Sequence, residues 1–178
     1  RGWQPMHLAA AEGHLEVMKA LLAVRASLEA KDEEGEKPMF KAAFQGHLNA
    51  MQFLSSRRAG VTAQQKTGQQ PLHGSALHGD AAAVHWLIGR RASPAAKTVD
   101  GYQPLHFAVS NGHDAVAESL LVLRASASAK AAQGMQPLHS AAVYGHSAVM
   151  KSLITHRASP MAQNAEGMRP LDHAASEG

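Results

Sequence analysis

Twelve histidines and fourteen Asp and Glu in 178 residues raise two chemistries, metal ligation and acid–base catalysis. Eight of the histidines fall into two registers. His7, His73, His106 and His139 each stand two residues after a proline, and His14, His47, His113 and His146 each follow a glycine. A residue that recurs in step with turn and helix punctuation reads as scaffold. The other four, His78, His85, His156 and His173, are scattered and lack the paired-histidine spacing of a zinc helix. No metal and no cofactor are expected. The carboxylates of Asp32, Glu33, Glu34 and Glu36 lie in a turn-like segment, expected to be exposed, where nothing would raise a carboxyl pKa for general-acid work. No Gly-x-Ser-x-Gly elbow, phosphate loop or dinucleotide fingerprint is present. The sequence therefore predicts no catalytic residues and no enzyme.

The absence of cysteine removes disulfides and thiolate chemistry and is compatible with a reducing compartment, so the expected location is cytoplasmic or nuclear. No apolar run reaches the length of a membrane-spanning helix. The formal charge of +3 is uneven: residues 1–36 hold four Lys and Arg against seven Asp and Glu, whereas the remainder holds thirteen against seven. One end is acidic and the rest mildly basic.

The elements that position these groups follow from one period. Proline falls at 5, 38, 71, 104, 137 and 170, with glycine three residues before each and eight residues after. A 33-residue period marks stacked units that cannot bury their apolar faces alone. In one unit, Pro104 pre-sets φ for a first helix whose Leu105, Ala108 and Val109 share a face, and Asn111-Gly112 ends it. Ala115 through Leu123 give a second amphipathic helix, antiparallel to the first. Residues 125–134 lose the periodicity and read as an extended connection, or finger, with a short hairpin. The columns Leu21, Leu54, Leu87, Leu120, Leu153 and Ala10, Ala43, Ala76, Val109, Ala142 are the expected core.

The stretches Gln70-Pro71-Leu72-His73, Gln103-Pro104-Leu105-His106 and Gln136-Pro137-Leu138-His139, followed by Gly-His or Gly-Asp and then a paired aliphatic such as Leu21-Leu22, resemble the ankyrin repeat. The resemblance covers the whole chain as one array, with repeats at about 2–34, 35–67, 68–100, 101–133 and 134–166 and a partial sixth at 167–178. It implies an all-α solenoid of antiparallel helix pairs with β-hairpin fingers, a protein-binding role and no catalysis. Two departures recur. The family's capping Thr before the proline is replaced by Gln4, Lys37, Gln70, Gln103, Gln136 and Arg169, with an expected loss of about 1 kcal/mol per helix. The family's glycine after helix two is replaced by Arg25, Arg58, Arg91, Arg124 and Arg157. If φ there is positive, each costs about 1–2 kcal/mol relative to glycine, partly offset by the helix dipole.

Positions that do not repeat should carry specificity. One set follows the finger glycine: Trp3, Glu36, Gln69, Tyr102, Met135 and Met168. The other ends helix one and includes Phe44, Gln45, Leu77, His78, Ser110, Asn111, Val143 and Tyr144. The resemblance places both sets on the concave face, as a groove for a protein or peptide with Tyr102 and Tyr144 as anchors. Phe53 and Trp86 read as core instead. The arginine column offers a second surface, suited to an acidic partner. Nucleic acid is not expected, because Arg57-Arg58 and Arg90-Arg91 lack stacking aromatics beside them. The alternatives are a structural spacer, or a recruiting or regulatory segment of a larger enzyme or channel. Neither end shows a polar capping face, so the array is expected to be excised from a longer chain.

Overall fold

The computed structural model describes residues 2–177, and residue contacts group the chain into two compact units, 1–92 and 93–178. The first holds α1 (Pro5–Ala11), α2 (Leu15–Ala23), α3 (Pro38–Phe44), α4 (Leu48–Ser56), α5 (Pro71–His78) and α6 (Ala81–Gly89). Each odd-numbered helix packs antiparallel on the helix that follows it, and α3 lies between α1 and α5. Gly74 lets α5 approach that closely, since a Cβ there would stand 3.1 Å from the backbone nitrogen of Phe44. The second unit holds α7 (Pro104–Ser110), α8 (Asp114–Val122), α9 (Pro137–Val143), α10 (Ser147–Thr155) and α11 (Pro170–Glu177), with α9 between α7 and α11 and α8 against α10. Stacked helix pairs are thus the architecture within each unit, all-α as the period predicts.

The predicted columns form the core. Leu54, Leu87, Leu120 and Leu153 are fully buried, as are Ala43, Ala76 and Val109, while Leu21 is half-buried. Methionine fills the space that aromatics leave: Met6, Met18, Met39 and Met51 are all enclosed. An unbranched thioether adapts to such irregular gaps.

The fingers are tight turns, and no strand occurs among the described residues. Each is closed by a single backbone hydrogen bond across its base, such as Thr98 N to Tyr102 O at 2.9 Å, too short a ladder to count as a strand. A side chain at the first finger position braces the turn. Asp32 Oδ1 accepts from Glu34 N and Glu36 N, and Asn164 Oδ1 accepts from Glu166 N and Met168 N. Thr98 Oγ1 accepts from Tyr102 N. Ala131 has no such oxygen, and there the turn tightens into a 3-10 segment, Ala132–Gly134, with Gln133 at φ 55°. Successive fingers within a unit are joined by backbone bonds, Lys66 N to Glu34 O, Ala132 N to Asp100 O and Ala165 N to Gln133 O.

The expected capping loss is corrected by the residue three positions on. Nδ1 of His7, His73, His106 and His139 accepts the backbone N–H of Gln4, Gln70, Gln103 and Gln136, at 3.0–3.2 Å. Asp172 does the same for Arg169 at 2.8 Å. This is the reciprocal half of a capping box, with imidazole in place of the usual Glu. Only α3, whose third residue is Phe40, lacks it among these helices. The arginine departure is real: φ is 63°, 68°, 69°, 69° and 67° at Arg25, Arg58, Arg91, Arg124 and Arg157. Each therefore sits in the left-handed region that disfavours a Cβ.

Two further expectations change. Phe53 and Trp86 are half-buried rather than core, and each is covered by the arginine one helical turn later. Arg57 stands 5.7 Å from the Phe53 ring centroid, and Arg90 4.9 Å from that of Trp86. Aromatic rings thus do accompany these arginines, contrary to the sequence reading. Asp32, expected to be solvated, is buried, because its oxygen is needed inside the finger.

Candidate functional site

Four of the fourteen partner-binding candidates meet in the second unit. Tyr102 of the finger, Ser110 and Asn111 at the end of α7 and Tyr144 at the end of α9 line one groove of about 300 Å³, together with His106 and Phe107. Finger geometry sets the first tyrosine: Thr98 holds the Tyr102 amide, and the ring meets His106 edge-on at 5.4 Å and Phe107 at 6.4 Å. Tyr144 is 58% exposed and stacks on His146 at 6.2 Å, and His146 Nε2 in turn lies 3.3 Å from the carbonyl of Ser110. Asn111 Nδ2 donates to Phe107 O. The groove offers ring faces with hydroxyl and amide groups at its rim.

Four more meet in the first unit. Trp3, Glu36, Phe44 and Gln45 line a cleft of about 200 Å³ with Ala11, Phe40 and Lys41. Sequence patterning does not single out Lys41, although a buried lysine within α3 is unusual. It is 8% exposed, its Nζ lies 4.2 Å from the Trp3 ring centroid and 3.0 Å from Asp32 Oδ2, and it also bonds Glu36 Oε2. Burial tends to raise the Asp32 pKa, but Lys41 and the amides of Glu36 and Glu34 outweigh it and hold the group below its ordinary value. The readable signal was Phe40, which stands in the column held elsewhere by His7, His73, His106 and His139.

The remaining candidates line neither groove. Gln69 and Met168 give their carbonyls to finger bases, and Met135 Sδ accepts from Asn164 Nδ2 at 3.7 Å. Leu77 and Val143 are half-buried at helix ends. His78 is exposed and lies over Gly46, just as His47 lies over Gly13 and His146 over Gly112. It takes that place because the residue after Gly79 is Asp80, which instead caps α6 through Ala83 N.

The repeat histidines act as clamps between neighbours. His7 Nε2 lies 3.0 Å from the carbonyls of both Ala30 and Glu36, and His139 Nε2 lies 3.2 Å from that of Met168. Burial pushes the pKa of His106 and of His139 below the ordinary value, against the opposing pull of the Met135 and Ala129 carbonyls at His106 and of the Met168 and Ala162 carbonyls at His139. A neutral ring suits an atom that must accept at Nδ1. At the last helix, the Arg169 guanidinium holds Asp172 down to about 2. Among the described residues no helix is long and apolar enough to cross a membrane.

Comparison with protein families gives a consistent result. A model described as Ankyrin repeats (3 copies) matches residues 1–65 and 57–131, and one described as Ankyrin repeats (many copies) matches residues 138–178. A search of curated proteins finds no match to the chain.

Proposed function

The chain belongs to the ankyrin repeat family, whose repeats serve generally as protein–protein interaction modules, and we propose that it is a non-catalytic module holding a protein or peptide on its finger and inner-helix surface. The anchors are Tyr102 and Tyr144. The observation that carries this reading is their shared groove: two residues 42 apart in sequence, both outside the repeating core, line one opening with Ser110 and Asn111. Tyrosine combines a large rigid contact area with a hydroxyl at low entropy cost, which is why it dominates binding hot spots.

The test is a peptide ligand selected on the whole chain by display and then titrated against Tyr102→Ala/Tyr144→Ala. Affinity should fall by more than about tenfold with helical content unchanged. Equal affinity removes the groove as the site, and repeated failure to select any ligand favours a spacer.

One observation favours a second surface. Arg25, Arg58, Arg91, Arg124 and Arg157 are exposed, and none is ion-paired among the described residues. That column suits an acidic partner. Arg124→Ala/Arg157→Ala should then weaken an acidic ligand and flatten its salt dependence.

A further inference from the structure

The cleft of the first unit contains a cation already. Lys41 is buried against the face of Trp3 and between the carboxylates of Asp32 and Glu36. Those two carboxylates bring two negative charges and Lys41 one positive, so the cluster keeps a net charge of −1, with Glu36 and Lys41 in the cleft lining and Asp32 beneath them. Asp32 stays ionised, its side chain only 1% exposed. Glu34, exposed on the same finger, extends the negative field outward. The walls are aromatic: Trp3 is 36% and Phe44 39% exposed, and Phe40 lies 6.1 Å from Phe44. Four of the chain's eight Phe, Trp and Tyr residues fall in the two variable sets, and two of those four, Trp3 and Phe44, stand here.

We propose that the cleft between Trp3 and Phe44 receives the cationic side chain, Arg or Lys, of a basic peptide. Three observations converge on that ligand. An aromatic face oriented toward an ammonium group is shown by Trp3 itself, and the same quadrupole attracts a second cation on its exposed part. The surplus carboxylate charge sits where solvent is largely excluded, so it acts on an entering cation with less screening than a surface carboxylate would. The opening of about 200 Å³ accommodates one side chain and no folded segment. An acidic or purely apolar side chain would instead meet the net negative floor without compensation. The inference extends the binding role proposed above but uses neither Tyr102 nor Tyr144.

The test uses the full chain and three short Gly/Ser peptides that differ at one central residue: Arg, Lys or citrulline, the last having nearly the shape of arginine without its charge. The readout is the indole N–H resonance of Trp3, with that of Trp86 as internal reference. Arg and Lys peptides should shift Trp3 and leave Trp86 in place, and citrulline should bind about fivefold more weakly or less. Glu36→Gln should weaken the Arg peptide by a similar factor, with circular dichroism showing the fold retained. An unmoved Trp3 resonance at millimolar Arg peptide overturns the proposal. So does a citrulline peptide that binds as well as Arg, or a Glu36→Gln variant of unchanged affinity. The Tyr102→Ala/Tyr144→Ala variant should keep the full Trp3 response, so failure of the cleft and failure of the tyrosine groove are read separately.

Discussion

The Nδ1 atom of His106 accepts the backbone N–H of Gln103 at 3.0 Å in a fully buried setting. A helix start that lacks a capping side chain at its first position is thereby secured from its third. The arrangement works only while that nitrogen carries a lone pair, which ties the start of α7 to the protonation state of one ring.

Acid should therefore loosen the second unit before carboxylates titrate. The folded pKa of His106 and of His139 lies below the unfolded value near 6.5, so the unfolded chain binds protons first as pH falls. Their contribution is fully present above about pH 6.5 and is lost as pH drops toward the folded pKa. Urea midpoints measured from pH 7.5 to 5 should decline, and His106→Ala/His139→Ala should be less stable at pH 7.5 but distinctly flatter across that window. A parallel decline in both proteins would refute the assignment.

Arg124→Gly should stabilise the protein. Arg124 holds φ at 69° without an ion pair among the described residues. Glycine removes the left-handed penalty of about 1–2 kcal/mol, against a backbone entropy cost of about 0.5–1 kcal/mol and the loss of a helix-dipole contribution of about 0.3 kcal/mol at an exposed site. A net gain of about 0.5 kcal/mol is expected from denaturant titration. A clear loss would mean that the arginine makes stabilising contacts of its own.

The finger at Ala131 can be repaired. Asp32 and Asn164 each brace their turn with two backbone hydrogen bonds that Ala131 cannot make. Ala131→Asn should raise stability by about 0.5–1.5 kcal/mol and slow amide exchange at Met135. Unchanged exchange at that amide would show that the 3-10 turn is already saturated.

Gly46 and Gly145 separate strain from contact. Both have positive φ, 76° and 69°, but a Cβ on Gly46 would lie 2.2 Å from His78 Nε2, whereas one on Gly145 meets nothing within 4 Å. Gly145→Ala should cost about 1–2 kcal/mol from backbone strain alone. Gly46→Ala should cost more, and adding His78→Ala should bring it back to the Gly145 level. Equal costs for both single variants would mean that the His78 ring swings aside freely.

Helix positions and the leucine and alanine columns were legible from the 33-residue period, because each depends on local chain geometry that repeats, whereas the left-handed arginines followed only as a condition from the resemblance, which puts a glycine there. The histidine cap was missed because a cap is sought at the residue before the proline, and here the bond returns from the third helical position. Lys41 and Asp32 were missed for a different reason. A charged run reads as solvated unless a partner is known, and the partners Trp3, Asp32 and Lys41 are brought together only by stacking one repeat on the next. Phe53 and Trp86 read as core because they share one register of the second helix, and hydrophobicity does not show that a guanidinium rather than the core covers the ring.

The clamps of His7 and His139 tie each helix to the finger immediately following, His7 to Ala30 and Glu36 and His139 to Met168. Chain length inside a unit is therefore quantised. Inserting or deleting a whole 33-residue block leaves each such clamp facing an equivalent carbonyl, whereas a one-residue insertion in a finger pulls that carbonyl away from its ring. Gene-level duplication can lengthen such a protein without redesign.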